Sequence, residues 1–471
     1  MKLESVIEVK IELEQTPDVP TKWKERLVPF LFELESRLKR KTANSSNSSV
    51  PPSSDDSRKR GSKGKKSEKP VGGQPGHSPA FLKPVDNPDK IISLSFSTSD
   101  LPPGVSVVDR KTVSRQVIDV EMRHVVTQYD QEVLMGSDGK RYCVAFPEGV
   151  EREVQYGNQL KSLVVTFNQY HMIPMGRCAE IVSDMFDINL STGSVANFQS
   201  QLAKQLELFT VAVKEKLKTL ELAHSDETGI QTQTENRWIH AVCSEHFTYL
   251  MLHEKRGMDA IKDMGVLEDF QGTLVHDCWR SYFSLSCEHA LCGAHLVREL
   301  QGVLDSDEKQ TWAKDLKELL QETVHELKDK KLTHFEPERY ENLSKNYDEI
   351  TAQAETQCPA NERLPGQKKR GRVKQTKERN LLERLKTYKE SVLMFAKKAI
   401  VPFTNNQAER DLRMAKVKQK VSGTFRSVRG AEAFCTIRSF VLTVQKQNLV
   451  NSLQAINLAF EGKWGETLQL D

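Results

Sequence analysis

The sequence has little that would mark a secreted or membrane-bound chain. Eight cysteines are scattered over 471 residues, too sparse for a disulfide framework. No run approaches the ~20 apolar residues of a membrane helix. The N-terminal MKLESVIEVKIELEQ carries acids early where a signal peptide would have an apolar core. With hydrophobic content at 38% and mean hydropathy at −0.54, these absences predict a soluble, cytoplasmic protein with no membrane partner. Charge of one sign is lacking too. Lys+Arg 68 against Asp+Glu 65 leaves +3, so net charge excludes no partner and only the distribution of basic residues is informative. At roughly 150 residues per domain, the length predicts about three domains.

The chain reads as a succession of segments. In residues 1–42, Leu27, Phe30, Leu31, Leu34 and Leu38 recur at helical spacing, predicting an amphipathic helix that needs a partner surface. Residues 43–80 are a Ser/Asn/Pro-rich linker that turns basic at Arg58, Lys59, Arg60, Lys65 and Lys66. It has almost nothing to bury and reads as disordered, while its cations suit a DNA backbone. Residues 81–157 read as a β-rich module with strands over 90–96, 115–121 and 125–133. This module holds one cysteine, Cys143, and so no zinc cluster. Residues 158–206 predict helices: one from Leu160 to Met172, one opened by Pro174, a turn at 187–190, and one capped by Ser191 or Thr192 with Val195, Phe198 and Leu202 as its buried stripe. The last two fit a helix-turn-helix or an ordinary helical hairpin. In the first case Ser194, Asn197 and Gln201 face the DNA groove.

Residues 207–464 change character. Strand-like LELAHSD and GTLVHD each end at an acid, and NRWIHAVCSEHFTYLMLHE alternates like two paired strands. The β-β-β-α-β-α order predicts an α/β core with a ribonuclease H-like mixed sheet. A charged helical insertion at about 300–400 carries a basic run that includes Lys369 and Arg370. Asp226 and Asp277 stand at predicted strand ends 51 residues apart, and Glu409 opens a predicted helix 132 residues further on. In such a sheet the first and fourth strands are neighbours, so the two aspartates come side by side. Three bare carboxylates repel each other, so the cluster points to two hard divalent ions, Mg²⁺ or Mn²⁺, bridging a scissile phosphate. The bland alternative is a set of surface or capping acids, with Asp226 in a turn with Glu227, Thr228 and Gly229. A last basic cluster, Arg410, Arg413, Lys416, Lys418, Lys420, Arg426 and Arg429, follows Glu409, and Arg413 lies one helical turn beyond the acid. Cys287, His289, Cys292 and His295 have metal-ligand types at spacing tighter than a zinc finger's. Zinc is therefore not expected. Trp279, two residues past Asp277, is placed near the site.

HSDETGIQT, VHDCWRSY, HALCGAHLVREL and TNNQAERDLRMAKVKQKVSGTFRS, with the upstream KPVGGQPGH linker, resemble the insertion-sequence-66 family of bacterial DDE transposases. The likeness runs collinearly from about residue 43 to about residue 460. It implies a cut-and-join enzyme that binds the ends of its own element and works as a homo-oligomer on double-stranded DNA. By that resemblance Asp226, Asp277 and Glu409 are the catalytic, metal-holding triad, and His289, Cys292 and His295 of HALCGAHLVREL support the active-site helix. The family's zinc-binding module falls where this chain has only Cys143, so that module is expected to keep a β fold without zinc. A transposase-derived DNA-binding protein without catalysis, and a plain nuclease of the same fold, are the alternative readings.

Overall fold

The computed structural model describes residues 82–95, 101–109, 111–233, 235–361 and 373–470, with a few isolated positions between 9 and 31. The basic linker around Arg58–Lys66 and the run containing Lys369 and Arg370 lie outside the described residues. The chain divides into two compact units, residues 59–128 and the remainder.

The predicted β module is mostly not a sheet. Strands β1 (Val133–Met135) and β2 (Arg141–Cys143) pair antiparallel. Residues 90–95, 115–121 and 125–132 form no ladder. Their apolar side chains face solvent: Leu94 is 95% exposed and Val117 90%. Alternation yields a strand only where a neighbour and a covering layer supply hydrogen bonds and burial. Within residues 59–128 the Gln116 side-chain amide does part of that work, pairing with both backbone groups of Val85 at 2.7 Å.

In the larger unit, helix α1 (Asn158–Val165) widens into a π-type turn over Thr166–Tyr170. The predicted single helix to Met172 therefore breaks, and the turn buries Asn168 and Gln169. Pro174 caps α2 (Met175–Phe186), which ends at a left-handed Asp187. Ser191 caps α3 (Thr192–Gln205), accepting from Ser194 N at 3.0 Å. Helix α4 (Glu207–Lys218) follows. Val195, Phe198 and Leu202 are buried as the periodicity predicts, but their core is shared with Phe440, Val441 and Ile456 from the C-terminal end. The helix pair is thus built into the larger unit.

Five strands form the central sheet: β3 (Leu222–Thr232), β4 (Glu235–Cys243), β5 (Thr248–His253), β6 (Thr273–His276) and β7 (Glu288–Leu291), in the order β5-β4-β3-β6-β7. β3, β4 and β5 pair antiparallel, while β3–β6 and β6–β7 are parallel. Helix α5 (Met258–Met264) connects β5 to β6. Beyond β7 come α6 (Gly293–Ser306) and the insertion helices α7 (Thr311–Asp329), α8 (Pro337–Gln357), α9 (Lys377–Thr387) and α10 (Lys389–Lys397). Their apolar stripes join Val275, Ala290 and Leu291 in a core around Trp312 and Tyr347. The chain returns through α11 (Asn406–Ser422), α12 (Val428–Gln447) and α13 (Ser452–Phe460). Leu412 and Ala415 of α11 pack with Ile239 and Leu250 of the antiparallel strands. A buried ion pair fixes that contact: Asp411 accepts from Lys446 at 2.6 Å and from the Thr248 hydroxyl at 2.7 Å. No helix among the described residues is long and apolar enough to cross a membrane.

Candidate active site

Asp226 does not end a strand, nor does it sit in a turn with Glu227–Gly229; β3 runs through it to Thr232, paired with β4. What ends is the parallel pairing with β6. The last register pair there is His224 with Val275, and each aspartate stands two residues beyond it. The offset of 51 residues in the ladder is the spacing of the two acids, so Asp226 and Asp277 lie level where the strands part. Burial raises the Asp226 carboxyl well above the carboxylate range, and the charges of Glu227, Asp277 and Glu409 push the same way. Asp277 is raised to about 6, by burial first and then by Glu227. Carboxyls held this way are short of positive charge.

Among the described residues, Arg256 and Arg384 oppose the rise at Asp277. Arg256 donates to Glu227 at 2.6 Å and stands 3.8 Å from Asp277. Its guanidinium lies over the Trp279 ring at 3.8 Å and near the Trp238 ring at 5.1 Å. Tyr282 donates its hydroxyl to the other Glu227 oxygen at 2.7 Å. Trp279 also closes back on the site through its backbone N–H, 3.0 Å from Asp277. Behind Asp277, buried His276 meets His289 at 3.1 Å, and burial lowers His276 to about 3, which keeps it neutral. Glu227, Arg256 and Tyr282 escaped the sequence reading.

Glu409 arrives from the other side. It lies in the first turn of α11, whose preceding residue, Asn405, is 1% exposed. Asn405 donates to the Ser225 carbonyl at 2.8 Å, meets His224 Nδ1 at 3.0 Å, and gives its backbone N–H to Cys292 Sγ at 3.2 Å. Asn405 thus ties the Glu409 helix to β3 through its side chain and to the start of α6 through its backbone. Gly293 N donates to the Phe403 carbonyl at 2.8 Å, and a Cβ at Gly293 would stand 2.1 Å from the Phe403 ring. Only glycine lets these two segments meet. His295 faces Glu409 at 3.7 Å, with Arg298 at 4.0 Å from the same oxygen. Burial lowers His295 to about 4.

The hard-oxygen donors suit divalent ions. Glu409 Oε1 is buried and has no hydrogen-bond partner, and Asp226 Oδ1 accepts from the Glu227 backbone. Among the described residues, however, the set of three ligand-type side chains with atoms within 4.8 Å of one another is Cys292, His295 and Glu409. Asp226, Asp277 and Glu409 do not close to that distance. The crowded Cys₂His₂ alternative does not form: Cys287 is buried in the core that includes Phe270, and His289 turns to His276 and the Leu285 carbonyl.

The basic candidates separate. Arg413 and Arg426 are exposed, and Arg426 is held by Phe425, whose backbone extends the end of β3 through Gln231 and Gln233. Lys418 is a correction: it is 8% exposed and donates to Asn168 Oδ1 at 3.1 Å, so it faces the π-type turn and not solvent. Helix periodicity explains this, since Lys418 is in line with buried Asp411 and Ala415. Lys416 reaches the Gly229 carbonyl. On α3, Asn197 and Gln201 are exposed, and Ser194 is half-buried with its hydroxyl 3.0 Å from that of Ser191.

A family model described as Transposase IS66 family matches residues 153–433, more than half of the chain. A second model, a family of unknown function, matches residues 9–81. No curated protein matches the chain.

Proposed function

The chain belongs to the IS66 family of transposases, and from that premise we propose that it cuts and rejoins DNA with Asp226, Asp277 and Glu409 as its catalytic acids on a ribonuclease H-like sheet. The observation that carries this reading is the level placement of Asp226 and Asp277 where β3 and β6 part, with the Glu409 helix tied to the same strand through Asn405. The strand order, first strand central and the fourth parallel beside it, supports the fold assignment.

Asp226, Asp277 and Glu409 would hold two Mg²⁺ or Mn²⁺ ions. Their carboxylates are the hard oxygen donors that such ions would take. When bound, the ions lower the pKa of the attacking hydroxyl and offset charge on the leaving oxygen. The rest is the work of the chain. In cleavage a water oxygen bonds to phosphorus, the bond to the 3′ oxygen breaks, and a 3′-hydroxyl and a free proton result. In joining, that 3′-hydroxyl attacks a target phosphodiester and the target's own 3′-hydroxyl leaves. Arg256 keeps Glu227 and Asp277 together. Arg413 and Arg426 bind flanking phosphates, and Asn197 and Gln201 of α3 present polar groups to the duplex. Double-stranded DNA is the substrate, and a homo-oligomer on paired ends is the working form.

Asp226→Asn, Asp277→Asn and Glu409→Gln should each abolish Mg²⁺-dependent cleavage of a duplex carrying an element end, while band-shift binding persists. Cleavage surviving in one variant removes that acid from the site. Cleavage without joining in the parent protein makes it a nuclease, and binding without cleavage makes it a DNA-binding derivative.

A further inference from the structure

The donors around Glu409 are softer than a magnesium site needs. Cys292 precedes α6 and His295 stands in its first turn, so their spacing brings both to one end of the helix. Cys292 Sγ, His295 and Glu409 each offer a ligand atom within 4.8 Å of the others. His295 Nδ1 and Glu409 Oε1 are 3.7 Å apart, both buried, and neither has a hydrogen bond. The Asn405 backbone N–H already points at Cys292 Sγ, where it would stabilise a thiolate. Metal bonds of about 2.0–2.3 Å place tetrahedral N, S and O donors about 3.3–3.8 Å apart, so this trio needs little contraction to share one ion.

We propose that Cys292, His295 and Glu409 form a regulatory Zn²⁺ site, and that zinc switches DNA cleavage off by taking Glu409 from the catalytic ions. On binding, the Cys292 thiol loses its proton to solvent, the sulfur, the imidazole and the carboxylate coordinate the ion, and solvent takes the fourth position. Arg298, 4.0 Å from Glu409 Oε1, is the cation zinc displaces. Thiolate and imidazole favour Zn²⁺ over Mg²⁺, so the two metals contest one carboxylate without sharing the other ligands. The inhibitory step rests on the reading of Glu409 as a catalytic acid; the zinc site does not.

The test uses the full-length, metal-free protein with Co²⁺ as probe. One equivalent should give a thiolate-to-cobalt charge-transfer band that Zn²⁺ removes, and Cys292→Ser should lack it. His295→Ala should weaken binding about tenfold or more. In the unmutated protein Zn²⁺ should also shield Cys292 from alkylation, read by peptide mass spectrometry, which needs no variant to fold. No band, a band kept by Cys292→Ser, or no shielding overturns the site. Zinc should then inhibit Mg²⁺-dependent cleavage by the parent, and Cys292→Ser, normalised to its own zinc-free rate, should resist. Zinc that binds without inhibiting overturns the switch. Glu409→Gln that still cleaves overturns the catalytic reading, while the cobalt band judges the site separately.

Discussion

On the sheet side of the site, Glu227 has both oxygens occupied, one by Arg256 and one by Tyr282, and Arg256 is clamped against Trp279 while standing beside Asp277. On the helix side, Glu409 Oε1 and His295 Nδ1 face each other with no hydrogen bond. The first half holds its carboxylates with the chain's own donors, and the second leaves a carboxylate oxygen and an imidazole nitrogen buried and unpaired. Buried polar atoms left unsatisfied are costly, so the helix side is where metal binding should change the protein most. A carboxylate can adopt its position against a rigid neighbour, but two acids cannot both be left loose in a site that must align a phosphate.

Breaking the rigid half should have the largest effect. Arg256→Ala leaves Glu227, 1% exposed at its side chain, as a buried unpaired charge. Destabilisation of about 3 kcal/mol is expected, the low end for a broken buried pair because Arg256 is itself partly exposed. Chemical denaturation measures it, and Glu227→Gln in the same chain should recover part of the loss. An unchanged midpoint would mean that the sheet side is no better organised than the helix side.

Loosening the tie between the halves comes next. Asn405→Ala removes the bonds to Ser225 and His224, at about 2 kcal/mol for the groups left buried. Cleavage should fall further than stability, because Glu409 loses its anchor to β3. Equal losses in both would reduce Asn405 to a core contact. Gly293→Ala, which drives a Cβ into Phe403, should act in the same direction.

The acids can also be read by pH. In the metal-free protein Asp277 has its carboxyl raised from 3.8 to about 6. The native state then binds the proton more tightly than the unfolded chain, so this group's contribution is present below pH 4 and is lost as pH rises through about 6. The parent should lose about 1–2 kcal/mol relative to Asp277→Asn across that window, allowing for partial exposure. Mg²⁺ should restore it, with a larger thermal shift at pH 7.5 than at pH 5. A parallel pair of pH profiles would mean that the Asp277 carboxyl is not raised by its burial.

The contrast between the halves also marks how far the sequence could be read. Alternation in NRWIHAVC and TYLMLH and the apolar stripe of α3 were legible because burial imposes its period on one element at a time. The 51-residue spacing of the aspartates was legible because parallel neighbours keep a constant register. Arg256 and Asn405 were not, since their roles come from contacts with strands far away in the chain, and no local pattern announces them. The strands at 90–95 and 115–121 misled for the converse reason. Valine and isoleucine alternation states a capacity to pair, and among the described residues no ladder partner meets it. Lys418 misleads because a charge run reads as one face, although helix geometry divides it.

The same division yields the smallest effect and sharpens which cations of α11 and its loop touch DNA. Lys418 is buried against Asn168 and burial lowers it to about 8, whereas Arg413 and Arg426 are exposed. Arg413→Ala and Arg426→Ala should each reduce the salt dependence of DNA binding by about one counterion. Lys418→Met should leave that slope unchanged and alter stability at neutral pH by about 1 kcal/mol or less, because the cost of burying the charge offsets its one good bond. Its signature is instead in alkali. With the folded pKa below the unfolded one, the unfolded chain binds the extra proton, so the parent gains stability as pH rises from about 8 towards 10.5, the ordinary lysine value. Lys418→Met should lack that gain. A reduced salt slope in Lys418→Met would return the residue to the DNA-contacting surface.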